Sequence, residues 1–74
     1  MTHTYLTTIV EDRWNEAVKA PTIPKWKTLA AMAAQVADAI EHNDPDNIMA
    51  VAHRAVYQEA YKRMLAMQPE RMEA

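Results

Sequence analysis

The chain contains no glycine, no cysteine and no serine. Each absence removes a class of protein. Hairpin-rich sheets, P-loops and dinucleotide folds need positive φ or close backbone approach, which glycine usually supplies. Without cysteine there is no disulfide framework and no thiolate for zinc, and a reducing compartment is expected. Without serine or cysteine, a nucleophile would have to be one of the threonines, which cluster toward the N-terminus and first loop with no evident base. No segment approaches the roughly 20 apolar residues of a membrane span. The basic stretch and apolar run of a signal peptide are also missing. An excess of cations is lacking as well: 8 Lys+Arg face 10 Asp+Glu, for a net charge of −2. Phosphate neutralisation supplies most nucleic-acid affinity, so nucleic acid is not the expected partner, although a local basic patch stays open.

Alanine, methionine, glutamate, glutamine and lysine dominate instead, and these favour helix. The expected fold is all-α. Seventy-four residues make one domain near the size at which a single core is only just sufficient, so a homodimer is expected. Residues 1–7, rich in threonine and without helical period, read as a flexible arm. A helical domain follows over 8–68, and 69–74 form a C-terminal tail. Thr8-Ile9-Val10-Glu11 fits a capping box, opening a helix to about Lys19 with Val10, Trp14, Ala17 and Val18 on one side. Pro21 and Pro24 frame a link, and Pro24 suits the first position of a second helix reaching about His42. Its stripe is Trp26, Leu29, Ala30, Ala33, Val36, Ala37 and Ile40. In the turn 43–46, Asp44 is the expected N-cap and Pro45 the first residue of a third helix, which Pro69 stops. A turn this short predicts an antiparallel hairpin after the short N-terminal helix.

The third helix carries too much apolar surface for one neighbour. Met49, Ala52, Val56, Ala60 and Met67 form one line, suited to the second helix. His53, Tyr57, Tyr61, Met64 and Leu65 form a ridge beside it, and Trp26 extends that ridge from the far end of the hairpin. Arg54, Gln58 and Lys62 form the polar side. Tyrosine and methionine are common at interface centres, so these six residues are the candidate protein interface. The alternative is an intrachain core completed by the first helix. His3, His42 and His53 lack metal-ligand spacing. Glu11, Asp12 and Glu16, and Asp38 with Glu41, read as solvated helix faces rather than an acid–base pair. Lys25-Trp26-Lys27 offers cations beside an aromatic, a pattern that can grip phosphate and stack a base. Trp26 is in phase with the helix-two stripe, which favours a core tryptophan. No catalytic residue, cofactor or metal is expected, and the chain does not read as an enzyme.

The layout Pro24-Lys25-Trp26, Asn43-Asp44-Pro45-Asp46, Ala52-His53-Arg54 and Tyr57-Gln58-Glu59-Ala60-Tyr61 resembles small accessory proteins of temperate Pseudomonas phages. It is similar in particular to the phage quorum-sensing anti-activators, over residues 9–72, in size, helix order and cysteine-free composition. The resemblance implies a helical dimer in the host cytoplasm that binds a LuxR-type transcriptional regulator and blocks its DNA binding. It also implies inhibition of a pilus assembly ATPase. None of that family's functional residues maps onto a position here. The alternative is a helical nucleotide-sequestering or DNA-binding regulator, for which Lys25, Lys27 and Arg54 are the available cations.

Overall fold

The structure is a computed structural model that describes residues 5–68. They form three helices and no strand: α1 (Thr8–Lys19), α2 (Ile23–Asn43) and α3 (Ile48–Met67). The tail expected at 69–74 and the first four residues of the expected arm lie outside the described residues.

Helix ends follow the local chemistry, with two departures from the sequence reading. Thr7, not Thr8, is the N-cap of α1, and its side chain makes no capping bond. Its hydroxyl lies 3.2 Å from Nε2 of His53 instead, so a residue far along the chain takes the oxygen that a capping box would use. At α2 the Thr22 hydroxyl accepts the Lys25 N–H at 3.2 Å. Pro24 falls in the first turn, where its missing amide is harmless. The second departure is at α3. Asn47 N–H donates to the Asp44 carbonyl at 3.0 Å, closing a turn with Pro45 at the second position, which suits its fixed φ. The Asn47 side chain then accepts the Met49 N–H at 2.8 Å. Asp44 ends α2, and Asn47 caps α3.

α2 is the central element. α1 and α3 both pack on it, and the backbones of α1 and α3 do not approach each other. Side-chain pairs show that α2 and α3 run antiparallel. Near the turn Arg54 bonds Asp38 and Glu41, and at the far end Arg63 lies over Trp26. The core holds Val10 and Ala17 of α1, Trp26, Leu29, Ala30 and Ala33 of α2, and Ala60 and Met64 of α3. The α2 stripe is the expected one, with Val36 and Ile40 half-buried at its edges. The phase of α3 agrees with the expected line only at Ala60. Its buried line is Ala50, His53, Ala60 and Met64, while Met49, Ala52 and Val56 are flanking and Met67 is exposed. The helix is turned so that part of the expected outer ridge faces inward.

Alanine lines so much of α2 that its neighbours come close. Ala33 is fully buried, and Ala33→Leu should lower stability by about 1–3 kcal/mol through overpacking. Arg54→Ala, at the rim of the same face, should cost clearly less. Thermal melts of the two variants side by side check the order.

Candidate functional site

The six candidate interface residues divide. Trp26, His53 and Met64 are buried within the chain itself, which corrects the expectation that they belong to an outer ridge. Tyr57 is half-buried, and Tyr61 and Leu65 are exposed.

His53 is a fully buried polar side chain, and its ring nitrogens have opposite roles. Nδ1 lies 2.7 Å from the Met49 carbonyl, which can only accept, so Nδ1 carries the hydrogen. Nε2 lies 3.1 Å from the Thr7 N–H, which can only donate, so Nε2 is the acceptor. The ring therefore fastens the segment before α1 to α3. Burial without such partners would carry a desolvation penalty. Trp26 meets Trp14 edge-to-face at 5.6 Å. The Arg63 guanidinium stands 5.1 Å from the Trp14 ring centre and 5.2 Å from that of Trp26. Its Nε also bonds Glu59 at 2.7 Å. These contacts, with the histidine, link the N-terminal segment and α1 to α3, whose backbone α1 does not touch.

Outside the core, the three helices differ in what they show to solvent. The outward residues of α1 are mostly polar, including Asp12, Arg13, Asn15, Glu16 and Lys19, with Ile9 and Val18 also exposed. On α2 they include Lys27, Thr28, Gln35, Asp38 and His42 among small residues. On α3 five large apolar side chains are open: Ile48 at 56%, Val51 at 64%, Tyr61 at 46%, Leu65 at 43% and Met67 at 39%. Tyr61 stacks on Tyr57 with ring centres 6.2 Å apart and planes inclined by 22°. The pair forms a ledge, and Leu65 lies one turn further on the same side. No protein family, curated protein or solved structure matches the chain. The surface must therefore be read from its own chemistry.

Its electrostatics are polarised along the hairpin. The half next to the turn carries Asp38, Glu41, Asp44 and Asp46 against Arg54, a net charge of −3 with His42 neutral. The open half carries Lys25, Lys27, Lys62 and Arg63 against Glu59, a net charge of +3. The carboxylates of Asp38 and then Glu41 bond the Arg54 guanidinium and push its pKa up. The bond from Arg63 holds the Glu59 carboxyl below the usual carboxylate range. The Glu59 contribution to stability is present above the ordinary glutamate range and fades as pH falls through the lowered value. Both sites are solvent-exposed, so each effect is small.

A cleft of about 150 Å³ opens between α1 and α2, lined by Arg13, Glu16, Pro24, Lys25 and Thr28. Both of its cations already have partners: Arg13 faces Glu16 at 3.8 Å, and the Lys25 ammonium donates to the Ala20 carbonyl at 2.9 Å. Among the described residues no group of three His, Asp or Glu side chains could hold a metal ion. No helix among them is long and apolar enough to cross a membrane. Arg63 was not singled out by sequence. The signal was present, because in an antiparallel hairpin closed at 44–47 it lies level with Trp26.

Proposed function

We propose that the protein is a non-enzymatic binding module that inhibits another protein by stoichiometric contact, with the outer side of α3 as its contact surface. The observation that carries this reading is the amount of open apolar surface on α3: Ile48, Val51, Tyr61, Leu65 and Met67 are exposed there, against Ile9 and Val18 on α1 and no large apolar side chain on α2. Contiguous exposed apolar area marks a site of association more often than scattered single residues do. The Tyr57–Tyr61 ledge with Leu65 supplies aromatic area at low conformational cost, a common property of interface anchors.

The partner class comes from the resemblance to phage anti-activators. On that reading the chain works as a homodimer in the host cytoplasm and binds a LuxR-type regulator so that the regulator no longer engages DNA. A pilus assembly ATPase is a further target. The test is a titration of a purified LuxR-type regulator bound to its operator. The proposal expects operator binding to disappear near one equivalent of the protein. It also expects Tyr61→Ala to need about 30-fold more, as loss of one anchor commonly costs about 2 kcal/mol. Operator binding that persists in excess protein would remove the regulator from the proposal.

A further inference from the structure

We infer that His53 is an acid-sensitive latch: proton uptake at Nε2 releases Thr7 and the first turn of α1 from α3. The device belongs to the fold itself and works whatever partner the surface of α3 meets.

The ring is fully buried, and both of its nitrogens are committed. Nδ1–H donates to the Met49 carbonyl at 2.7 Å, a bond that the ring keeps whether neutral or charged. Nε2 is different. It accepts the Thr7 N–H at 3.1 Å and needs its lone pair to do so. A proton on Nε2 turns that acceptor into a donor facing an amide that can only donate. The Thr7 hydroxyl, 3.2 Å from Nε2, can rotate to accept the new hydrogen. The amide beside it is then left without an acceptor, facing a positive charge. A charged ring away from water also loses its solvation. Release relieves both, because ring and amide then reach solvent.

What the latch holds is the start of α1. The Thr7 carbonyl accepts the Glu11 N–H at 3.0 Å, at the opening of that helix, while the Thr7 side chain caps nothing. A freed hydroxyl can turn to the open amides of the first turn, a capping bond that offsets part of the loss. Beyond that turn α1 is fastened separately, by Trp14 against Trp26 and Arg63. Opening is therefore confined to the N-terminal end. It uncovers Val10, which is fully buried while the latch is closed.

The charged groups around the ring act in opposite senses. Glu11, one turn along α1 from Thr7, favours a charged ring. Arg54, next to His53 on α3, opposes it, and its guanidinium is engaged by Asp38 and Glu41 of α2. The other α2 residues level with the ring, Val36, Ala37 and Ile40, are apolar. Tyr5 before α1 and Tyr57 one turn along α3 are uncharged near neutrality. The hydrogen-bond polarity at Nε2 thus sets the direction. The released state binds one proton more than the latched state, so the latch is complete above the histidine range and weakens as pH falls through it.

Hydrogen exchange followed by NMR on the full chain, from about pH 8 to about pH 5, tests this when expressed as protection relative to an unstructured peptide. Protection at the Thr7 and Glu11 amides should fall by up to about tenfold per pH unit, the limit for one proton. Amides within α2 and α3 should keep theirs. His53→Gln retains an amide donor for Met49 and an oxygen for Thr7 but takes up no proton in this range, so its protection should not vary with pH. The latch is overturned if Thr7 and Glu11 in the wild-type chain lose no more protection than α2 and α3. It is equally overturned if His53→Gln shows the same fall. The ring nitrogens of the wild-type chain give a reading that does not depend on how the variant folds. Their chemical shifts should show Nε2 gaining its proton over the pH interval in which the two amides open, and an Nε2 that stays unprotonated while they open would also overturn the latch.

Discussion

Trp26→Ala should largely unfold the protein. The indole is almost completely buried in the first turns of α2, against Trp14 of α1 and beneath Arg63 of α3. Replacing a buried tryptophan by alanine costs about 3–5 kcal/mol. A chain of this length has about 4–11 kcal/mol of stability in all. The loss is thus between about a quarter and the whole. It falls where all three helices meet, and the alanines around it cannot extend to fill the space. In a domain this small each kcal/mol moves the melting temperature by about 4–8 °C, so a fall of about 15 °C or more is expected in a circular dichroism melt. A shift below about 5 °C would mean that the indole is not central to the packing.

His53→Ala should be the next most damaging change, at about 2–4 kcal/mol. It removes a buried ring and leaves the Thr7 N–H without its acceptor. Because α1 and α3 do not touch along their backbones, the damage should be uneven. Hydrogen exchange at the Thr7 amide and through α1 should accelerate, while the amides at the α2–α3 contact should change less. Unaltered protection at Thr7 would show that the histidine does not hold that segment.

How far the fold is legible in the sequence depends on how one-sided each helix is. α2 has polar residues on one side and a long apolar stripe on the other, so Trp26, Leu29, Ala30, Ala33 and Ala37 were identified as core by spacing alone. α3 carries apolar residues around most of its circumference. Period alone could not choose between the line through Val56 and Met67 and the one through His53 and Met64, and a histidine at the centre of the buried face runs against a hydrophobicity pattern. The start of α3 was ambiguous for a local reason. Asp44 and Asn47 are both good caps, and Pro45 suits either the first position of a helix or the second of a turn. The competition at Thr7 was decided by a partner 46 residues away, which no capping pattern contains. The links from Arg54 to Asp38 and Glu41, and from Arg63 to the tryptophans, are likewise tertiary. Within the candidate surface, Tyr57, Tyr61 and Leu65 came from spacing. Ile48 and Val51 were missed as exposed groups because α3 was expected to begin earlier and face differently.

The central claim is that the outer side of α3 serves association and not the fold of the single chain. The most direct measurement takes the double variant Tyr61→Ser, Leu65→Ser and reads two quantities from one sample: the thermal melt and the affinity for the LuxR-type regulator that the proposed function names as partner. The claim predicts a change in melting temperature of less than about 8 °C, allowing about 0.5 kcal/mol for each exposed position. Affinity should fall by about 30-fold or more. A variant that binds as tightly as the wild-type chain, or one that loses its helices along with its binding, would contradict it.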